Sequence, residues 1–106
     1  MEETAKQVAE IVGPRIRRLR RAQEMSQETL GHLAEVNHHG PISKIEHGEQ
    51  LPRIDTLIRL AGGLGVLPCE LLDGIVWDPG GVGRQGRMVQ GGDDGDGRGP
   101  AAVPRA

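Results

Sequence analysis

The chain has 106 residues, enough for one small domain, because two separate cores would each bury too little surface to offset chain entropy. With one Trp and neither Phe nor Tyr, it lacks the aromatic platform on which single-stranded nucleic acid stacks. Its formal net charge of −2 excludes a polycation that coats nucleic acid or anionic membrane by charge alone. Cys69 has no second cysteine to pair with, and the sequence shows neither a secretion leader nor a membrane-spanning apolar run, so we expect a cytoplasmic protein.

The first twelve residues predict a helical extension ahead of the main domain. Apolar residues recur there at i, i+3 and i+4 spacing, and Thr4 is a residue type favoured at a helix N-cap. Gly13 and Pro14 predict a break and a new helix, because proline suits the first position of a helix. We therefore expect an N-terminal helical extension over 1–12 and the main domain over 13–77.

The apolar spacing of the main domain predicts five short helices, over residues 14–24, 27–35, 41–47, 54–62 and 68–73. Ser26 is the expected N-cap of the second helix, and Gly48 the expected terminator of the third. Ile42 and Ile45 lie three residues apart in the third helix, so both should face the core. Because no stretch keeps strand alternation, the predicted fold class is all-α, a compact five-helix domain.

The composition changes sharply after Trp77. From Gly80 onward nine of 27 residues are Gly, and the few apolar residues follow neither helical nor strand spacing. Such a segment cannot bury enough surface to offset the entropy of ordering it. We therefore expect residues 78–106 to form a disordered, Gly-rich tail.

Five stretches occur in the order of a known domain. They are VGPRIRRLR at 12–20, MSQETL at 25–30, ISKIEHGE at 42–49, PRIDTL at 52–57, and LGV with ELL at 64–66 and 70–72. Together they resemble the Cro/CI-type helix-turn-helix domain of phage repressors and of the related xenobiotic-response-element (XRE) regulators. The resemblance covers residues 12–74 and implies a lambda-repressor-like fold that binds duplex DNA.

The resemblance makes the helix near 41–47 the recognition helix, which enters the major groove. With Ile42 and Ile45 inward, Ser43, Lys44 and His47 turn to other faces, where the groove would meet them. Lys44 is the leading candidate for reading a base, because an ammonium group suits guanine O6 and N7. The further candidates in this segment are His39, Gly40, Ser43 and His47.

Other positions match family residues that act outside base reading. The resemblance implies that Gln27, at the start of the second helix, anchors the DNA backbone, and that Arg53 contacts the sugar-phosphate edge. It also implies that Arg20 pairs with Glu46, which gives these two residues a structural role.

Two features complicate the pattern. Five arginines fall within residues 15–21. Successive helical residues turn by about 100°, so the five cannot share one face, and we expect most of the run to be solvated surface.

The connection over 37–41 is one residue longer than the family pattern and places Pro41 where the recognition helix would begin. We therefore expect that helix to start late, near Pro41.

These observations favour a small transcriptional regulator, with a homodimer expected because one such domain contacts few bases. The candidate dimer surfaces are the N-terminal helix and the region of Ile75, Val76 and Trp77. The alternative is a protein-interaction adaptor or a toxin-neutralising antitoxin on the same scaffold. It is favoured by the equal numbers of basic and acidic residues in 1–60 and by a tail that could fold on a protein partner.

The sequence supports neither catalysis nor a cofactor. Its four histidines and Cys69 show none of the usual zinc spacings, so no metal site is expected. No Ser/His/Asp or Cys/His arrangement has a supporting context, and no phosphate-cradling loop follows a strand. We therefore expect a protein that is not an enzyme.

Overall fold

The computed structural model describes residues 1–36 and 39–90, with the backbone alone for residues 39 and 40. The elements in chain order are α1 (Glu3–Ala22), α2 (Gln27–Leu33), α3 (His39–Glu46), α4 (Ile54–Leu64), α5 (Pro68–Leu71), β1 (Ile75–Asp78) and β2 (Arg87–Gln90). The predicted five-helix fold is confirmed, and a small two-stranded sheet is added to it. The chain divides into two compact units, Met1–Leu72 and a second that starts at Asp73.

The helical unit encloses an aliphatic core. All five helices contribute to it, and each side chain is at most 4% exposed: Ala9, Val12, Ile16, Leu30, Ala34, Ile42, Ile45, Leu57, Leu60, Ala61, Leu64 and Leu71. Both isoleucines of the predicted recognition helix are among them, as their spacing predicts. A core of this kind needs no aromatic residue, because branched aliphatic side chains can fill a small helical domain.

Gly13 and Pro14 do not break the chain, because α1 runs continuously from Glu3 to Ala22 with Pro14 inside it. The reason for a glycine at position 13 is a close approach from α3. A Cβ there would overlap the carbonyl oxygen of Ile45 and lie 3.0 Å from that of Glu46. The residues expected to form a separate extension are therefore the first half of the helix on which α3 rests.

Four helices end in the same hydrogen-bonding pattern, in which a residue in the left-handed conformation follows the helix. These residues are Glu24 (φ 54°), Glu35 (φ 57°), Gly48 (φ 75°) and Gly65 (φ 75°). Each is followed by a backbone N–H that returns to a carbonyl five residues earlier, as in the bond from Met25 N to Arg20 O. Glycine takes this conformation without strain, whereas glutamate does not.

The second unit is a β-hairpin, which departs from the expected disordered tail over residues 78–90. β1 and β2 pair antiparallel, with Trp77 opposite Met88 and Asp78 opposite Arg87. The Asp78 carboxylate accepts from Gly80 N (3.2 Å) and lies 3.4 Å from Arg84, and these contacts hold its pKa below the ordinary value. The strands have four residues each, too short for alternation to stand out between glycines. The expected tail over 91–106 lies outside the described residues.

Candidate nucleic-acid interface

The pair α2 and α3 forms the centre of the candidate interface. Ser26 caps α2, and its hydroxyl oxygen accepts from Thr29 N at 3.0 Å, as predicted. The connection that follows spans residues 34–38. α3 begins at His39, earlier than the start near Pro41 that the sequence suggested. Pro41 then lies in the first turn of α3, where a backbone N–H needs no partner within the helix.

The outer surface of α3 carries three of the predicted contact residues. Lys44 and His47 are exposed and Ser43 is half-buried, while Ile42 and Ile45 face the core. The His47 Nδ1 lies 2.7 Å from Ser43 O, and since a carbonyl only accepts, Nδ1 is the donor. This bond holds the imidazole along the last turn of α3 and leaves Nε2 for an external partner.

The two remaining positions in the first turn of α3 are His39 and Gly40. Both are helical in the backbone, so they belong to the same element as Lys44. The side chain of His39, and the whole of His38, lie outside the described residues. Their predicted contacts therefore stay predictions.

A single buried carboxylate, that of Glu46, joins three helices. Arg20 of α1 donates to it twice, from Nε to Oε2 (2.6 Å) and from Nη2 to Oε1 (2.9 Å). The third guanidinium nitrogen of Arg20, Nη1, donates to Met25 O (2.7 Å). Gln27 of α2 adds a further bond to the carboxylate, from Nε2 to Glu46 Oε1 (3.0 Å). The two residues that the family resemblance pairs are thus in direct contact, with Arg20 8% and Glu46 2% exposed.

The charges of this cluster stabilise each other. Burial raises the pKa of Glu46, but the hydrogen bonds from Arg20 and Gln27, with the charges of Arg20 and Arg17, bring that pKa below its ordinary value. The hydrogen bond to Glu46 raises the pKa of the Arg20 guanidinium. Both groups are therefore ionised at neutral pH, and the pair is a buried salt bridge with its polar atoms satisfied.

The bond between Gln27 and Glu46 is a contact that the sequence reasoning missed. It uses one amide hydrogen of Gln27 and leaves the second hydrogen and the carbonyl oxygen for other partners. Gln27 is the first residue of α2, so its side chain lies beside the backbone N–H groups of that helix end. No spacing rule reveals such a bond, because the two residues lie on different helices.

Arg53 precedes α4 and is highly exposed, with a side chain that is 85% accessible. Its Nε lies 3.5 Å from Asp55 Oδ1. The two side chains form a surface ion pair, which contributes little to stability. Arg53 is also the N-cap of α4 and makes no side-chain capping bond within the described residues. The first turn of α4 therefore offers backbone N–H groups next to an exposed guanidinium, an arrangement suited to an anion.

Other kinds of site receive no support from the described residues. Across residues 1–36 and 39–90, no three His, Cys, Asp or Glu side chains gather as a metal ion would require. Within the same residues, no helix has the length and apolar character to cross a membrane.

The five-helix core and the arrangement of α2 and α3 define a helix-turn-helix, lambda-repressor-like fold. A family model described as a helix-turn-helix domain matches residues 11–73. The chain therefore belongs to the helix-turn-helix family of DNA-binding regulators, in its XRE, Cro/CI-type branch.

Solved structures agree with this assignment. The restriction-modification controller protein C.AhdI from Aeromonas hydrophila is 32% identical, with a TM-score of 0.57, and the match covers 59% of this chain and 94% of that one. The P22 c2 repressor, solved in complex with a synthetic operator, is 33% identical, with a TM-score of 0.56, and the match covers 60% of this chain and 96% of that one. The competence regulator ComR from Streptococcus vestibularis is 35% identical, with a TM-score of 0.58, and the match spans 22% of its length and 62% of this chain. No match was found among curated proteins.

Proposed function

We propose that the protein is a small transcriptional regulator that binds a specific duplex-DNA sequence with α3 in the major groove. The observation that carries this proposal is the division of α3 into two faces. Ile42 and Ile45 hold one face in the core, and Lys44 and His47 stand on the outer face. The likeness to the P22 c2 repressor, which was solved on an operator, supports the same use of this surface.

Within this proposal, the residues of α3 read the bases. Lys44 donates to guanine O6 and N7, since its exposed ammonium group is free to reach a base edge. His39, Gly40 and Ser43 contact neighbouring bases, and His47 contacts the edge of the groove through Nε2. In this proposal, these contacts supply the direct reading of the base sequence.

Two further groups set the register on the DNA backbone. Gln27 donates its second amide hydrogen to a phosphate, because Glu46 already fixes the position of that side chain. Arg53 contacts the next stretch of backbone together with the N-terminus of α4. Both contacts add affinity for any sequence and carry no preference among bases.

The proposed regulator acts as a homodimer, because a single domain contacts too few bases for useful affinity. Ile54 and Ile58 lie one turn apart on α4, and they are 69% and 52% exposed. Asp55 and Arg59 flank them with opposite charges in an i, i+4 pair. Two such helices packed antiparallel about a two-fold axis would place Asp55 of each copy near Arg59 of the other, so we propose α4 as the dimer surface.

The test is selection of bound duplexes from a random pool with the full chain, followed by affinity measurements over a range of salt concentrations. We expect one preferred sequence bound in the nanomolar range, two half-sites about 10 base pairs apart or a multiple of that spacing, and affinity that falls steeply with salt. A pool that yields no preferred sequence, together with affinity that is flat in salt, would refute the proposal. That outcome would favour the adaptor or antitoxin alternative.

A further inference from the structure

The five arginines of residues 15–21 have different environments. Two of them bond within the fold: Arg15 Nη1 donates to Leu71 O at 3.1 Å, and Arg20 holds the carboxylate of Glu46. These two side chains connect α1 to α5 and to α3, respectively. They are therefore committed to the structure and do not serve a ligand.

The other three arginines line one open groove. Arg17, Arg18 and Arg21 surround a volume of about 580 Å³ together with Pro14, Ala22 and Glu46, and we call this the arginine groove. Arg21 is the i+4 neighbour of Arg17 and the i+3 neighbour of Arg18, so the three fall within a sector of about 100° around α1. The sequence alone predicts mostly solvated surface for this run, with no shared site.

Within the described residues, the guanidinium groups of the arginine groove make no hydrogen bond or close ion pair, and Arg17 acts on Glu46 through its charge alone. The described surface arginines elsewhere each lie within 4.0 Å of a carboxylate: Arg53 and Arg59 near Asp55, and Arg84 and Arg87 near Asp78. Three neighbouring cations that repel one another are stabilised by an anion between them. Planar guanidinium groups suit phosphate in particular, because they can donate two parallel hydrogen bonds.

The arginine groove adjoins the candidate interface. Glu46, which lines it, is the last residue of α3 and accepts a hydrogen bond from Gln27 at the start of α2. The negative charge of Glu46 is matched by the bidentate bond from Arg20, so it does not repel an anion strongly. Glu46 therefore links the groove to Gln27, the residue proposed to hold the DNA backbone.

We propose that the arginine groove binds phosphates of the DNA backbone beside the α2 and α3 contacts, and so extends the interface onto α1. This inference rests on the proposed function. Arg17, Arg18 and Arg21 would add affinity and salt dependence without adding sequence preference, because phosphates carry no sequence information.

The experiment compares three full-length proteins on the selected duplex and on a scrambled duplex. They are the wild type, the triple variant Arg17→Gln, Arg18→Gln, Arg21→Gln, and a control triple variant Lys6→Gln, Arg84→Gln, Arg87→Gln. The control removes the same number of positive charges at residues that neither line the groove nor belong to the proposed DNA contacts; two of them, Arg84 and Arg87, lie near Asp78 in the hairpin. Thermal unfolding monitored by circular dichroism checks that each variant is folded.

We expect the groove variant to bind both duplexes more weakly by the same factor, on the order of tenfold to a hundredfold at moderate salt. The slope of log affinity against log salt should shrink by about 1 for each phosphate that the variant no longer binds. The control should keep the wild-type slope.

An unchanged slope in the groove variant, with the wild type binding its selected duplex normally, would overturn this inference and leave the proposed function intact. A slope reduced equally in the control would also overturn it, since net charge alone would then explain the weaker binding. A wild type that selects no duplex would overturn both proposals.

Discussion

Glu46 illustrates how one side chain can fix several elements. Its carboxylate accepts hydrogen bonds from α1 and α2 while its backbone ends α3, so α3 is tied to both neighbouring helices through two oxygens. A buried pair of this kind adds little net stability when intact, but it is costly to break because the remaining charge is stranded. The structural role assigned to Arg20 and Glu46 is therefore testable by stability alone.

The free energy of unfolding should depend on the charge of Glu46. Because its pKa in the folded state lies below the ordinary value of 4.5, the charged form stabilises the fold above that pH, and this contribution disappears as pH falls through the folded pKa. We expect Glu46→Gln to cost roughly 3 kcal/mol or more at pH 7, since it leaves Arg20 without a counter-charge.

The difference between wild type and Glu46→Gln should then shrink on acidification below about pH 4.5. Urea unfolding of both proteins from pH 7 to pH 3 measures it. Glu49→Gln, a change at an exposed residue just beyond α3, is the matched control and should stay within about 0.5 kcal/mol of wild type at neutral pH. If the difference in free energy of unfolding between wild type and Glu46→Gln stays constant over this pH range, the role assigned to the Glu46 charge is contradicted.

Lys44 and Gln27 should respond differently to substitution, because one is proposed to read a base and the other to hold the backbone. We expect Lys44→Ala to cost about 1 to 3 kcal/mol on the selected duplex and to relax the preference at one base position. Gln27→Ala should weaken all duplexes alike. Binding to the selected duplex and to its single-base variants checks this, and equal effects on every duplex for Lys44→Ala would remove its base-reading role.

At the scale of elements, the close contact between α1 and α3 requires that residue 13 be glycine, which has no side chain. Gly13→Ala would push a methyl group against the carbonyl oxygen of Ile45, which is part of the backbone and cannot move aside easily. We expect a destabilisation of about 1 to 3 kcal/mol, as in other overpacked sites. Thermal or urea unfolding provides the measurement.

Gly62→Ala is the matched control for this contact. Gly62 also lies inside a helix, α4, but a Cβ there meets nothing within 4 Å. The same substitution should therefore stabilise the protein by about 0.5 to 1 kcal/mol, because alanine favours the helix. Equal effects at Gly13 and Gly62 would show that helix propensity alone is measured.

The helix ends offer a second test. Glu24 and Glu35 hold a left-handed conformation that disfavours any residue with a Cβ, whereas Gly65 holds the same conformation in open space. We expect Glu24→Gly and Glu35→Gly each to raise stability by up to about 1 kcal/mol, and Gly65→Ala to lower it by about 1 kcal/mol. Changes in melting temperature check the signs, and a lower stability for both glutamate variants would mean that the carboxylates make a compensating contribution.

The elements that the sequence predicted are those with local signals. The Ser26 cap, the stop at Gly48 and the inward isoleucines of α3 depend on residues close in the chain. The prediction at Gly13 was wrong because the reason for that glycine lies in α3, more than 30 residues away, so glycine and proline together suggested a break. The hairpin was missed because its register depends on pairing across a glycine-rich loop.

At the scale of the whole molecule, the proposed function depends on assembly. Ile58→Glu places a charge in the middle of the proposed α4 surface and should convert the dimer to a monomer, because a desolvated carboxylate is costly. Affinity for a duplex with two half-sites should fall roughly a hundredfold, because the benefit of bivalent binding disappears. Sedimentation analysis and binding to full and half sites measure both effects.

Val82→Glu is the control for the dimer prediction, since Val82 is fully exposed in the hairpin loop and outside the helical unit. It should leave both the oligomeric state and the affinity as they are. An Ile58→Glu protein that sediments like the wild type would show that α4 is not the contact between copies.

The packing of α3 on α1 means that the family match and the helical unit begin at different residues. The family model matches from residue 11, but Ala9 is fully buried and Glu10 lies against Gly48, just beyond the end of α3. We therefore expect a fragment that begins at residue 11 to be less stable than the full helical unit, because it loses these contacts. Trimming the chain to residues 11–73 would keep every residue proposed to contact DNA and remove the first eight of the 20 residues of α1, the helix against which α3 packs.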